Sequence, residues 1–161
     1  MSKTQLSNGL SWLWITVIII IMDFISKKLA INYLILGEVH PTLAFLHLNF
    51  YYVHNLGAAF NLLADQSGWQ RWFLISISIL AGFFFIKMMY NSKNINNIDN
   101  LALALILGGT LSNLLDRIAY GFVIDFIDFS IKNWHLPTFN IADLAIFIGI
   151  ILIIFDKIFI F

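Results

Sequence analysis

Four apolar runs, each close to the length of a bilayer crossing, constrain this chain more than any other feature of its sequence. They cover about residues 11–30, 69–90, 100–115 and 136–155. A helix needs about 20 apolar residues to cross the roughly 30 Å of a bilayer's hydrocarbon. Only 11% of the 161 residues are charged, against roughly 25% in soluble domains. The sequence therefore predicts an all-α integral membrane protein with four transmembrane helices, in a single domain over residues 1–161.

The composition excludes several kinds of site. The chain has no cysteine, so disulfides, thiol catalysis and zinc–thiolate centres are excluded. Its net charge is zero and it contains no basic tract, which argues against nucleic acid as a partner. His40, His47 and His54 recur every seven residues, but that spacing alternates faces in a strand, and Pro41 interrupts any helix there. We therefore expect neither a metal nor a cofactor.

Two long connections lie between the apolar runs, at about residues 31–68 and 116–137. In each of them a short stretch shows a two-residue period, at residues 46–53 and at residues 123–128. This period is typical of a half-buried strand. We therefore expect a small extramembrane sheet built from the two long loops.

Four spans would bring the ends of the first and third helices, and the starts of the second and fourth, to one side of the membrane. The unusual polar residues gather on that side: Asp23, Lys27, Asn55, Asn113, Asp116, Arg117, Asp125 and Asp143. The sequence therefore predicts a site at one membrane face. Lysine and arginine are spread almost evenly over the two sides, so the positive-inside rule does not decide the orientation.

Two stretches of predicted helix carry polar residues on one face. Asp23 and Lys27 are four residues apart and can pair; the pair either neutralises two charges or shapes the site.

Gly109, Asn113 and Arg117 share one stripe of the third helix. Small residues in such a stripe are also typical of tight helix packing. Packing accounts for the glycine, but not for the asparagine and the arginine beside it.

Asp125 and Asp143 are carboxylates at the membrane boundary, where a charge is costly and is retained mainly for function. If residues 123–128 form a strand, Asp125 and Asp128 point to opposite faces. Asp143 would have the N-terminus of the last helix to itself, where the helix dipole favours its ionised form, and Asn140 can serve as a cap. Taken singly, each of these residues has an ordinary structural role.

As a pair, Asp125 and Asp143 can catalyse hydrolysis by general acid–base chemistry. Two carboxylates within a few ångströms do not both ionise readily, so one keeps a proton near neutral pH. The ionised partner can then take a proton from water while the protonated one activates a scissile carbonyl. Arg117 and Lys27 are candidates for tuning this balance, and the mechanism requires no metal.

Two other functions are compatible with parts of the pattern. Ionisable residues inside a membrane also mark ion or proton transporters, but a pathway would place them through the whole depth of the bilayer. A helical assembly or adaptor protein would use small-residue contacts, but it has no need of costly charges at that depth. Replacing Asp143 by asparagine separates these hypotheses, because an adaptor would tolerate the change and a hydrolase would not.

Five motifs follow one another in order along the chain: residues 23–27 (DFISK), 55–60 (NLGAAF), 108–117 (GGTLSNLLDR), 121–126 (GFVIDF) and 139–143 (FNIAD). With these motifs the chain resembles the bacterial lipoprotein signal peptidases, the type II signal peptidase family, over most of its length. The resemblance implies a four-helix inner-membrane enzyme with a small periplasmic sheet. Both termini would lie in the cytoplasm, and the site would lie at the periplasmic face.

The resemblance also implies an activity and a set of site residues. The enzyme would be an aspartic endopeptidase that removes the signal peptide from diacylglyceryl-modified prolipoproteins, just before the lipidated cysteine. We expect it to act as a monomer among membrane lipids. By motif position, Asp125 and Asp143 match the catalytic dyad, and the substrate-binding and supporting positions are Asn55, Gly57, Asn113, Arg117, Asn140, Asp23 and Lys27.

Some residues of the matched motifs have less definite roles. Asp116 and Asp128 are left outside the dyad. The first long loop, with Gly57, Ala58 and Ala59, is expected to be mobile and to close over the substrate.

Overall fold

The computed structural model describes residues 8–43, 47–57, 67–92, 97–131 and 134–159. This part of the chain is mostly helical and carries a small antiparallel sheet, as the sequence predicts. A 3₁₀ turn at Gly9–Trp12 leads into α1 (Leu13–Tyr33), and the other elements are β1 (Val39–Leu43), β2 (Leu48–Asn55), α2 (Trp69–Asn91), α3 (Asn97–Ala119), β3 (Val123–Ile131), β4 (Trp134–His135) and α4 (Ile141–Phe159).

Within the described residues, three helical segments are long and apolar enough to cross a membrane: Gly9–Tyr33, Trp69–Asn91 and Ile98–Ala119. They confirm three of the predicted spans. α4 has 19 residues and is not among these segments, so the predicted count of four spans is not confirmed. The uncharged stretch of α4 between Asp143 and Asp156 is short for a bilayer crossing.

Two differences between the predicted and the observed helix boundaries bear on the polar motifs. The last apolar run is predicted to begin near residue 136, but α4 begins at Ile141. The residues ahead of it belong to the sheet region instead, because Phe139 pairs with Ile127 in an isolated β-bridge. α3 continues to Ala119, four residues past its predicted end, so the polar motif that follows the apolar run is itself helical.

α3 is the central helix of the bundle and packs against α1, α2 and α4. Two adjacent glycines in α3 let two of these helices, α1 and α4, approach it closely. A β carbon on Gly108 would meet Ile19 and the carbonyl of Thr16 in α1. One on Gly109 would meet the carbonyl of Ala142 in α4. The two glycines therefore serve two different neighbours, which is the packing role that the sequence left open for them.

The two predicted strand stretches are found as β2 and β3; residue 46, at the start of the first, lies outside the described residues. The sheet order is β1-β2-β3-β4, with antiparallel neighbours. On one face of β3, Ile124 and Phe126 are buried with Ala30 at the end of α1. Side chains alternate along a strand. Asp125 therefore points to the other face, away from this apolar cluster.

Candidate active site

Asp125 is held by two asparagines that come from different elements. Its side chain is buried, at 1% exposure. Oδ1 accepts a hydrogen bond from Nδ2 of Asn140 at 2.7 Å, and Oδ2 accepts one from Nδ2 of Asn55 at 2.9 Å. Each carboxylate oxygen therefore has a neutral amide donor, which orients the group without neutralising its charge.

Burial and a second carboxylate raise the pKa of Asp125 to about 7. Removal from water is the larger cause, because it disfavours the charged form, and repulsion from Asp143 adds to it. The hydrogen bonds from the two asparagines and the charge of Lys27 lower the pKa in turn. Asp125 and Asp143 therefore titrate as a pair that can hold one proton near neutral pH.

Asp143 lies in the first turn of α4 and takes part in the cap of that helix. Its backbone N–H donates to Oδ1 of Asn140 at 2.9 Å, and its Oδ2 accepts from the backbone N–H of Asn140 at 3.3 Å. This reciprocal arrangement is a capping box. Oδ1 of Asp143 accepts from Nδ2 of Asn113 in α3 at 2.8 Å. The start of α4 and the end of α3 together fix where this carboxylate points.

Asn140 joins the two carboxylates. It is fully buried, its side-chain oxygen caps the turn that carries Asp143, and its amide donates to Asp125. The same amide lies 3.2 Å from Oδ1 of Asn113. The sequence left open whether Asn140 is no more than a helix cap, and the structure shows that it caps α4 and also donates to Asp125.

Lys27 is 2% exposed and stands between two carboxylates. Its Nζ lies 2.5 Å from Oδ2 of Asp23, one turn away in α1, and 2.8 Å from Oδ2 of Asp116 in α3. Nζ also donates to Oδ1 of Asn113 at 3.0 Å. Because the other end of Asn113 holds Asp143, this ammonium group helps to position the site. The pairing of Asp23 with Lys27 therefore both neutralises charge and shapes the site.

Asp23 connects α1 to the first turn of α4. Its Oδ1 accepts the backbone N–H of Ala142 at 2.8 Å, and its Oδ2 accepts the hydroxyl of Ser112 at 2.5 Å. The expectation that Asp143 has this helix end to itself is wrong, because a carboxylate from another helix also stabilises it. The role of Ser112 was not predicted from the sequence, since a small residue at that position is equally well explained by packing.

Asp116 fastens the strand that carries Asp125. Its Oδ2 accepts the backbone N–H of Ile124 at 3.2 Å as well as the ammonium group of Lys27. Ile124 directly precedes Asp125 in β3. Asp116 therefore links α1, α3 and β3 at one point. The sequence left its role open, and these contacts support the position of the strand that carries Asp125.

Arg117 reaches the first long loop. Its Nη2 donates to the carbonyl of Gly57 at 2.9 Å, and the N–H of Gly57 donates to Oδ1 of Asn55 at 2.9 Å. Asn55 in turn donates to Asp125. The loop is thus tied to the carboxylate through one asparagine. Ala58 and Ala59, which the mobility prediction concerns, lie outside the described residues.

A cavity of about 360 Å³ opens beside the carboxylates. Its polar side includes Asn55, Asn113, Arg117 and Asp143, and its apolar side includes Ile146, Phe147 and Ile150 of α4. This volume lies within the range of small-ligand sites. A polar end that continues into an apolar wall suits an amphiphilic ligand.

Asp128 and His54 make their contacts with residues other than the carboxylate pair. Asp128 accepts a hydrogen bond from Nδ2 of Asn49 at 2.9 Å. His54 stacks on Phe122 with ring centroids 3.7 Å apart. In the part of the chain that the structure describes, no three histidine, aspartate or glutamate side chains are grouped so that they could hold a metal ion.

One hydrogen-bonded network contains every site residue that the sequence predicts. Its members are Asp125, Asp143, Asn55, Gly57, Asn113, Arg117, Asn140, Asp23 and Lys27. The structure adds Asp116 and Ser112 to them. Residues from all five motifs therefore meet at one end of the bundle.

Known proteins of similar sequence and fold define the class. A family model described as signal peptidase (SPase) II matches residues 15–159. Lipoprotein signal peptidases of Yersinia enterocolitica and Photorhabdus laumondii are 49% and 47% identical, over 97% and 98% of this chain and 91% and 93% of theirs. Two solved structures of bacterial membrane enzymes have TM-scores of 0.81 and 0.82, at 31% and 28% identity, and cover 91% and 94% of this chain and 87% and 94% of theirs.

The fold and its spanning helices thus define a bacterial membrane enzyme. The chain belongs to the signal peptidase II family, and it is a hydrolase of the aspartic peptidase type. The family and the protease class predicted from the five motifs are confirmed. Its helices and its family are those of a protein of the bacterial inner membrane.

Proposed function

We propose that this enzyme removes the signal peptide from diacylglyceryl-modified prolipoproteins and cuts just before the lipidated cysteine. The observation that carries the proposal is a pair of carboxylates, the buried Asp125 and the partly buried Asp143, joined through Asn140 beside a cavity that Asp143 lines and whose wall is apolar along α4. The relatives that match nearly the whole chain carry the name lipoprotein signal peptidase. A substrate with a peptide and acyl chains fits such a cavity.

Asp125 and Asp143 act as the catalytic dyad. With one proton between them, the ionised carboxylate takes a proton from water, and the water oxygen attacks the carbonyl carbon while the protonated carboxyl donates to the carbonyl oxygen. The C–N bond then breaks as one carboxyl group donates a proton to the amide nitrogen, while the other, ionised carboxylate takes a proton back from a hydroxyl of the tetrahedral intermediate. The dyad ends the cycle with one proton, as it began. The pair itself supplies every proton transfer in this scheme.

The residues around the dyad bind the peptide and hold the two carboxylates in position. Asn55 and Arg117 line the cavity beside Asp143 and offer donors to the peptide, while Gly57 holds the loop close to them. Asn113 and Asn140 orient the two carboxylates. Asp23 and Lys27 support Asn113 and the start of α4 from α1.

α4 acts as the fourth span in this proposal. Its outward side chains are apolar and about half exposed, among them Phe147, Ile151, Ile154 and Ile158, as a lipid-facing helix requires. Four crossings put both termini on one side of the membrane and the site on the other, and the family resemblance assigns the termini to the cytoplasm and the site to the periplasmic face. A monomer is sufficient, since one chain supplies both aspartates, and the lipid-anchored substrate arrives by lateral diffusion in the membrane.

The test compares two prolipoproteins that differ only in the diacylglyceryl group on the cysteine. Purified enzyme should cleave the modified one, and mass spectrometry should find the modified cysteine as the new N-terminus. Addition of a chelator should leave the rate unchanged, and a parallel preparation of Asp143→Asn accounts for contaminating proteases. Equal cleavage of the unmodified protein, or a cut at another bond, would contradict the proposal.

A further inference from the structure

A second cavity lies on the other face of β3 from the carboxylates. It has a volume of about 340 Å³ and is an apolar groove, lined by Leu29, Ala30, Tyr33, Leu34, Phe50 and Phe126, with Ser26 at its edge. The groove and the catalytic cavity share no lining residue. Phe126 follows Asp125 directly, so strand alternation assigns the two side chains to opposite faces. The groove is therefore separate from the proposed substrate site.

The groove lies at the level where membrane meets water. Lys28, the residue before Leu29 of the groove wall, donates to the hydroxyl of Tyr120 just past the end of α3, at 3.4 Å. Arg71 in the first turn of α2 donates to the carbonyl of Ile118 at 3.0 Å. The ends of α1 and α3 and the start of α2 are therefore level. Trp72, beside Arg71, is 65% exposed, and exposed tryptophans of membrane proteins are typical of the interfacial layer.

The groove also continues a surface that faces lipid. Ile21, Ile25 and Leu29 follow one another at one-turn spacing along α1, and each is about half exposed. They belong to a helical segment that is apolar enough to span a membrane. Leu29 ends this row and forms part of the groove wall. Hydrocarbon that covers the row therefore has an uninterrupted apolar path into the groove.

We propose that the groove binds one acyl chain of a resident membrane phospholipid, with the phosphate of its headgroup beside Lys28. The exposed ammonium group of Lys28 supplies the charge that an anionic headgroup complements. The bound chain covers the apolar face of β3 while Asp125 occupies the opposite face. The lipid thereby holds the sheet at a fixed depth relative to the catalytic pair.

The test uses the full-length enzyme in vesicles that contain a phospholipid with a diazirine midway along one acyl chain. After irradiation, mass spectrometry maps the labelled residues. We expect label on Phe50 and Phe126 in the sheet, in addition to label on exposed residues of the spanning helices such as Phe83. Label confined to the spanning helices would overturn the proposal.

Two matched variants locate the bound chain. Ser26→Phe adds a ring at the edge of the groove, and Ile25→Phe adds the same ring at the neighbouring exposed position. We expect Ser26→Phe to reduce the label on Phe50 and Phe126 several-fold while the label on Phe83 stays unchanged, and Ile25→Phe to leave all three unchanged. Sheet labelling that survives Ser26→Phe, in protein with wild-type thermal unfolding, would contradict the assignment.

A third arm distinguishes a resident lipid from the substrate. Lipid-modified prolipoprotein is added to the labelling reaction with the Asp143→Asn variant, which binds without turnover if the proposed function holds. Unchanged labelling of the sheet supports a resident phospholipid. Displacement of the label would assign the groove to the acyl chains of the substrate and overturn the proposal. Labelling of the wild-type enzyme needs no cleavage, so its failure is distinguishable from failure of the proposed function.

Discussion

The two ends of the helix bundle hold charge in opposite ways. At the site end, Asp23 and Lys27 are buried at 0% and 2% exposure, and Lys27 lies within 2.8 Å of two carboxylates. At the other end, the side chain of Lys157 is 64% exposed and lies 3.3 Å from both Asp99 and Asp156. Buried charges are costly unless each one keeps its partners, whereas exposed pairs contribute little. Loss of the buried ammonium group of Lys27 should therefore cost more stability than loss of the exposed one of Lys157.

Polar side chains show the same difference. At the other end of the bundle, Asn100 is 2% exposed, and its Oδ1 accepts no hydrogen bond within the described residues. At the site end, the equally buried Asn140 donates to Asp125 and caps α4. A buried polar atom without a partner costs about 1–3 kcal/mol. Of these two buried asparagines, the one with satisfied hydrogen bonds is therefore the one that orients the aspartates.

The largest expected change in stability follows loss of the buried cation. Lys27→Met leaves Asp23 and Asp116 as buried carboxylates without their ammonium partner, and removal of one member of a buried charge cluster costs about 3–5 kcal/mol. Denaturant unfolding in detergent measures the effect. Adding Asp23→Asn to this variant should recover part of the loss, because it removes one of the unpaired charges. A single variant that unfolds like the wild type would end the distinction between the two ends.

Loss of the Ser112 hydroxyl should have the next largest effect. Ser112→Ala removes a hydrogen bond to a buried carboxylate, and bonds to charged groups contribute about 1.5–3 kcal/mol. A double-mutant cycle with Asp23→Asn isolates the interaction. The serine substitution should cost clearly less when it is made in the Asp23→Asn variant than in the wild type. Equal costs in both backgrounds would mean that the hydroxyl acts through packing alone.

The free energy of unfolding should depend on the proton held by Asp125. Its pKa is about 7 in the folded protein, above the ordinary value of about 3.9 for an aspartate in an unfolded chain. A raised pKa means that the folded state binds the proton more tightly, so this contribution is complete below about pH 4 and is lost as the pH rises through about 7. Thermal unfolding of wild type between pH 5 and 8 should show the decline.

The control for the pH experiment lies in the same strand. Asp125→Asn should flatten this part of the pH dependence, whereas Asp128→Asn should leave it in place, because Asp128 lies apart from the dyad with Asn49 as its partner. An unchanged slope in Asp125→Asn would assign the titration to another group.

The smallest effect is expected at the plain end of the bundle. Lys157→Met removes an ammonium group whose side chain is 64% exposed, and ion pairs of an exposed lysine contribute little to stability. We expect denaturant unfolding and the rate of prolipoprotein cleavage to match those of the wild type. A loss comparable to that of Lys27→Met would show that burial does not separate the two ends.

Much of the site was predictable, because helix spacing and span topology act over short and well-defined distances. The four-residue spacing of Asp23 and Lys27 predicts their pairing, and alternate side chains of β3 separate Asp125 from Asp128. The start of α4 was not predictable from hydropathy, because Phe139 is as apolar as a helix residue yet pairs with Ile127 in the sheet region.

Contacts that depend on how packed helices are rotated against each other could not be predicted from the sequence. Ser112 meets Asp23 only because Gly108 lets α3 approach α1 closely. The hydrogen bond that the N–H of Ala142 donates to Asp23 likewise needs α1 and α4 in register. The spacing of residues within one segment does not predict a contact between segments. Only the structure therefore reveals these two hydrogen bonds.

The most direct test of the dyad is the cleavage rate of a diacylglyceryl-modified prolipoprotein by Asp125→Asn, Asp143→Asn and Asp128→Asn, each checked for wild-type thermal unfolding. Asp128 is the matched control, since it is a carboxylate at 2% exposure in the same strand as Asp125. We predict that each dyad variant loses at least about 10³-fold in rate, in line with loss of general acid–base catalysis, and that Asp128→Asn cleaves at close to the wild-type rate. Cleavage at the wild-type rate by either dyad variant would contradict the account.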